Sequence, residues 1–301
     1  MRAASDATSA VGLLAVAAAA FLWATLGVAG KALYAVGAEP LVVVAWRAIL
    51  AVLVLGAGLA ILGPGLPRLP PRALPFFALY GLVAASNYAC YFLALRHVPV
   101  AVAIMLLYTY PSFVAVAARF FFAEPLSPAK TLALGLSFAG VVLVGGGFHV
   151  GAAHVSLPGV LYGLGAAVAM AAYSLLGKRA TRDHDPWTVV LFSLAGAALL
   201  LAAALGRRLT RAFAYTPLMW AGLVYLAVGP TLLAYGLFLW ALRRVEVSGA
   251  SVWTTLEPPM AAALAFVFLG EVPGTEQVVG GVLILTGVGI LQWRSAPPAP
   301  A

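Results

Sequence analysis

Apolar runs of membrane length follow one another along nearly the whole chain, broken only by short polar or Pro/Gly-rich punctuation. A helix that crosses a bilayer needs about 20 apolar residues, because each adds only about 1.5 Å. Ten segments qualify as expected spans: Val11 to Val36, Leu41 to Leu62, Leu74 to Leu95, Pro99 to Ala117, Pro128 to Gly147, Leu157 to Gly177, Trp187 to Leu205, Pro217 to Leu242, Ser248 to Leu269 and Val278 to Trp293. With 64% hydrophobic and 9% charged residues and a mean hydropathy of +1.05, the chain lacks the polar side chains that would cover a water-soluble surface. The expected fold class is an all-α integral membrane protein with ten transmembrane helices. A transmembrane barrel would instead alternate apolar and polar positions over segments of about ten residues, whereas these runs are apolar on every face. The first run is too long for a secretory signal and nothing soluble follows it, so it reads as a mature helix.

The chain also repeats itself. Lys31, Arg96, Pro111, Glu124 and Gly140 recur 147 residues later as Lys178, Arg243, Pro258, Glu271 and Gly287. The match is densest where Ala94, Leu95, Arg96, Val98, Val100 and Ala103 equal Ala241, Leu242, Arg243, Val245, Val247 and Ala250, far above the roughly one match in ten that this composition gives by chance. Tandem duplication is the simplest cause. It divides the chain into a first repeat over 11–147, a linker over 148–156 and a second repeat over 157–293, with a short N-terminal segment over 1–10 and a tail over 294–301. Five spans per repeat is an odd number, so the second repeat is expected to enter the membrane from the side opposite to the first. Inverted repeats of this kind give secondary transporters two near-equal arrangements about a midplane site.

The basic residues indicate orientation. With the N-terminus in the cytoplasm, Arg2, Arg68, Arg72, Arg119, Lys130, Lys178, Arg179, Arg182, Arg243, Arg244 and Arg294 fall on the inner side, against Arg96, Arg207, Arg208 and Arg211 outside. Both termini are therefore expected inside. The Arg207, Arg208, Arg211 cluster breaks the rule, and lipid headgroup contact is the one role the sequence offers for it. The net charge of +8 is spread over loops rather than gathered on a face, which argues against nucleic acid as a partner.

Two five-helix repeats, each with a Pro-bearing helix, a short Glu-containing loop and a Gly-rich helix, resemble the EamA family of the drug/metabolite transporter superfamily. The segments that carry the resemblance are LLYTYPSFVAVAARFFFAEPLSPAKTLALGLSFAGVVLV and TTLEPPMAAALAFVFLGEVPGTEQVVGGVLILTGVGIL, together with Trp23 in the first helix and Arg47 in the second. The resemblance implies fold and transport. It leaves the solute open, since members of the superfamily carry amino acids, nucleotide sugars, purines, drugs and other metabolites.

Glu257 is the sharpest candidate for function, about ten residues into the ninth span and so near the bilayer midplane. Intramembrane acids face bundle interiors and serve substrate or proton pathways; the alternative is a structural acid beside Pro258 and Pro259, or one paired with Arg47. Arg47 contacts a solute, makes a structural pairing, or snorkels to the outer interface. Asn87 is the only asparagine and falls mid-span, where its amide either lines a cavity with Tyr88 and Tyr91 or glues helices together. Trp23, Tyr108, Tyr110, Tyr173, Tyr235 and Trp253 lie away from helix ends, where rings either stack on a planar or cationic ligand or simply pack. Pro111 and Pro258, with Gly229 and Pro230, are the hinge candidates, because proline removes a helix hydrogen bond. Lys31, Lys178, Arg96 and Arg243 read as interface anchors, and Glu124 and Glu271 as caps on the fifth and tenth helices.

The single Cys90 excludes a disulfide framework, and no metal or cofactor is expected. No G-x-x-x-x-G-K-[ST] loop is present, which disfavours transport driven by ATP bound to this chain. An intramembrane enzyme needs clustered titratable groups at one depth. Asp6, Asp183 and Asp185 are instead the only aspartates, and His97, His149, His154 and His184 fall in separate loops, the His184-Asp185 pair reading as a solvated one. The expectation is a secondary transporter of small metabolites, amino-acid export among the candidates, or an uncoupled facilitator of the same solutes. Its partners are the solute, the bilayer and a coupling proton or counter-solute. The sequence favours neither a monomer nor a homodimer.

Overall fold

The computed structural model describes residues 2–62, 67–121, 128–144, 155–242 and 253–295. Glu124, Arg243, Arg244, His149 and His154 lie outside these residues, as do the side chains of Arg2, Asp6, Arg119, Lys178, Trp293 and Arg294. Every regular element among the described residues is helical: α1 Arg2–Ala35, α2 Pro40–Leu62, α3 Leu74–His97, α4 Val100–Leu107, α5 Tyr110–Phe121, α6 Pro128–Val144, α7 Leu157–Asp183, α8 Pro186–Leu205, α9 Pro217–Ala227, α10 Ala234–Leu242, α11 Glu257–Leu269 and α12 Thr275–Ser295. A 3-10 stretch, Gly206–Ala214, follows α8, and a π-helical stretch, Val228–Leu233, joins α9 to α10.

Seven of the described helical segments are long and apolar enough to cross a membrane, and three shorter apolar helices, Pro128–Val144, Glu257–Leu269 and Thr275–Ile290, overlap the fifth, ninth and tenth expected spans. Large apolar side chains stand on the outside, Ile61 at 79% exposure, Phe138 at 73% and Phe268 at 70%, an arrangement that lipid satisfies and water does not. Local sequence sets several helix starts. Ser156, Asp185 and Thr216 each accept a backbone N–H of the following turn, from Gly159, Trp187 and Met219, and a proline opens each of these helices. Asp185 is thus a solvent-exposed cap on α8, and the His184 ring lies 5.3 Å from that of Phe77. α1 begins at Arg2, ahead of its apolar stretch, which starts at Val11.

Shifting the sequence by 147 residues carries α1 onto α7, α2 onto α8, α3 onto α9 and α10, α5 onto α11 and α6 onto α12. The packing follows the same exchange. The contact of α1 with α10 corresponds to that of α7 with α3, and the contact of α2 with α9 to that of α8 with α3; α2 with α8 and α6 with α12 map onto themselves. The α6/α12 crossing repeats at atomic detail. A Cβ added to Gly140 would sit 2.6 Å from the carbonyl oxygen of Gly280, and one added to Gly287 would sit 2.7 Å from that of Ala133, the residues 147 positions away in each case. Glycine is required there because two backbones touch.

Candidate functional site

The elements around the bundle centre are broken helices. The fourth expected span divides into α4 and α5 at a turn over Tyr108–Thr109, and the ninth breaks at a turn over Thr255–Leu256, again 147 residues later. Each turn lies just before the proline that cannot accept its place in a continuous helix, Pro111 or Pro258. The second half-helices therefore begin at Tyr110 and Glu257, so the Glu257 carboxylate sits at a helix N-terminus, where the backbone dipole favours negative charge. Gly229 and Pro230 lie within the π-helical stretch between α9 and α10.

These breaks border a cavity of about 350 Å³. Ten of the sequence candidates line it: Trp23, Arg47, Asn87, Tyr88, Tyr91, Tyr108, Tyr110, Tyr173, Tyr235 and Glu257, with Pro230 from the hinge set. Trp253 does not; it packs beside Ala15, Val16 and Ala241 instead. Tyr80, Phe92, Ser174, Thr231, Phe238 and Thr254 complete the polar and aromatic wall.

Glu257 and Arg47 do not pair with each other. The Tyr108 hydroxyl lies 2.9 Å from the Glu257 carboxylate and 2.8 Å from the Thr254 carbonyl oxygen. The Arg47 side chain is buried, at 4% exposure, and does not snorkel to the interface. Its guanidinium carbon lies 4.6 Å from the centre of the Tyr88 ring and 5.3 Å from that of Phe92. Pro230 lacks the N–H that the Leu226 carbonyl would receive in a regular helix; the Thr231 hydroxyl donates to that carbonyl at 2.8 Å and accepts from Arg47 Nη1 at 3.3 Å. Arg47 Nε is left buried without a protein partner. Asn87 plays both roles the sequence left open: it lines the cavity, and its amide donates to Ala166 O at 2.8 Å, tying α3 to α7.

Aromatic contacts stiffen the wall. Tyr80 stacks on Tyr173 with centroids 4.6 Å apart, and Trp23 meets Tyr235 and Phe238 at 5.5 Å each. Much of the lining is duplicated. Trp23 and Met170, Leu26 and Tyr173, Tyr88 and Tyr235, Tyr91 and Phe238, Leu107 and Thr254, and Tyr110 and Glu257 are each 147 residues apart, and all twelve face the cavity. That offset is the signal by which Met170 and Phe238 follow from Trp23 and Tyr91. Tyr80 and Ser174 carry no such mark.

Away from the cavity, two charge clusters differ from expectation. Lys31 is not a free interface anchor: it forms an ion pair with Glu271, whose other oxygen accepts the Val100 N–H at 2.7 Å. Glu271 thus caps α4 rather than the tenth helix. Gly270, at φ +67°, ends α11 in the left-handed turn that delivers Glu271 there. The arginine cluster also has a protein partner, since Arg208 and Arg211 both bind the Glu39 carboxylate, Arg211 at 2.6 Å.

Comparison with known proteins agrees with this architecture. The model of the EamA-like transporter family matches residues 10–146 and again 157–293. A probable terminal-alkyne amino-acid exporter of Streptantibioticus cattleyicolor is 31% identical over 242 residues, covering 77% of this chain and 78% of that protein. The threonine/homoserine exporter RhtA of Escherichia coli K12 is 30% identical over 213 residues, 70% of this chain and 68% of its own, and an uncharacterized transporter of Archaeoglobus fulgidus is 28% identical over 228 residues, 75% and 77%. A solved crystal structure superposes with a TM-score of 0.60 at 23% identity, covering 96% of this chain and 98% of the other, a likeness of fold. The two family matches span nearly the whole chain, and with the lipid-facing apolar helices they identify it: the chain belongs to the EamA-like transporter family and is an integral membrane protein.

Proposed function

We propose that this chain is a secondary transporter that exports small amphipathic metabolites of the amino-acid class by alternating access. The ten expected spans form two five-helix repeats of opposite orientation, both termini lie in the cytoplasm, and solute binds in the central cavity. One observation carries the reading: the cavity is walled by both repeats at equivalent positions, so a rocking of one repeat against the other opens it first to one side and then to the other. The helix breaks at Tyr108–Thr109 and Thr255–Leu256 and the π-helical stretch at Pro230 supply the places where the wall bends. The family match supports transport, and the names of two relatives, each an amino-acid exporter, support the solute class.

In this reading Glu257 carries the coupling proton or the cationic group of the solute, with Tyr108 relaying or orienting at its carboxylate. The test is reconstitution of the purified protein in liposomes with labelled L-threonine and a panel of other metabolites, with and without an imposed pH gradient. Gradient-driven threonine accumulation is expected in the wild type and its loss in Glu257→Gln. Flux that ignores the gradient identifies an uncoupled facilitator, and an absence of flux for every solute contradicts the transport reading.

A further inference from the structure

A duplicated chain begins with a symmetric chamber, so polar groups without a counterpart mark the chemistry added later to one side. Arg47 corresponds to Leu194, and Glu257 to Tyr110. Both unmatched charges face the same cavity, so they belong to one chamber. Yet they leave each other unpaired: Glu257 has the Tyr108 hydroxyl, and Arg47 has Thr231 on Nη1.

Arg47 keeps donors unused. Thr231 holds Nη1 and Nε is buried without a partner, while the residue lines the cavity, so the guanidinium retains hydrogen-bonding capacity for a carboxylate. A ligand with one charge satisfies one pole and leaves the opposite charge desolvated and uncompensated. A ligand carrying both charges cancels both costs at once.

We propose that the cavity recognises a zwitterionic amino acid by both of its charges, the carboxylate on the Arg47 guanidinium and the ammonium on Glu257. The side chain then lies against the wall of Trp23, Tyr235 and Phe238, which suits an unbranched apolar chain. This inference rests on the reading of the cavity as the transport site.

The test is binding of three matched compounds to the full-length protein in detergent, followed by calorimetry. L-Norleucine carries both charges, its methyl ester only the ammonium, and N-acetylnorleucine only the carboxylate. The expected result is that each single-charge compound binds at least about tenfold more weakly than norleucine, the loss of one charge-assisted contact. In Arg47→Gln the ester is expected to bind about as well as norleucine, and in Glu257→Gln the N-acetyl compound likewise, with melting temperature checking the fold. The wild-type comparison stands without either variant, and an analogue within about twofold of norleucine overturns the proposal. Liposome flux separates the two readings. Two-charge binding without flux sinks transport alone, whereas flux of another solute class with no norleucine binding sinks the two-pole site alone.

Discussion

At the residue scale, the position of Arg47 depends on a defect in a neighbouring helix. Pro230 withholds an N–H, Thr231 fills the vacancy at Leu226 O, and the hydroxyl's lone pair then holds Nη1 of the guanidinium. Thr231→Val keeps the shape of the side chain but removes both bonds, leaving a carbonyl and a guanidinium N–H without partners. The expected outcome is a destabilisation of about 1–3 kcal/mol, read as a lower melting temperature in detergent, together with weaker solute binding. Thr231→Ser, which keeps the hydroxyl, restores both. The sequence exposes Arg47 and Glu257 because charges are rare in these runs, but Thr231 is one of several small polar residues with nothing to distinguish it until the helix is seen to widen at Pro230.

At the scale of elements, close approach and helix breakage do different work. Gly140 on α6 touches the backbone of Gly280 on α12, while Gly135 on the same helix has nothing within 4 Å of an added Cβ. Gly140→Leu is therefore expected to separate the pair at a cost of at least about 3 kcal/mol, and Gly135→Leu to leave the melting temperature unchanged. The break before α11 has a functional reading instead. Replacing both Pro258 and Pro259 by Ala allows a continuous helix through Thr255 and Leu256, and the expected effect is slower turnover with solute affinity nearly intact, measured as a fall in kcat for liposome flux with little change in KM. The positions of both breaks are legible from Pro111 and Pro258. The pairing of Lys31 with Glu271 is not, because the left-handed turn at Gly270 joins residues 240 positions apart.

At the scale of the whole molecule, the repeat places the cavity, and composition places the chain in a bilayer. The sequence marks most of the cavity wall because aromatic and polar residues stand out inside apolar runs. Trp253 meets the same criterion yet packs with Ala15 and Ala241, since membership of a wall depends on which helix face turns inward, and runs that are apolar all round do not encode that face. Likewise the pair Arg208 and Arg211 gains its meaning from Glu39, which lies 169 positions from Arg208.

Opposite orientation of the two repeats is the claim on which alternating access depends. Val36 and Asp183 occupy equivalent positions 147 residues apart at the ends of α1 and α7, and both are exposed. With Cys90 replaced by Ala, single cysteines at Val36 and at Asp183 can be labelled in intact cells by a membrane-impermeant maleimide. The account predicts labelling of Val36→Cys from outside and of Asp183→Cys only after the cells are opened; labelling of both from the same side contradicts it.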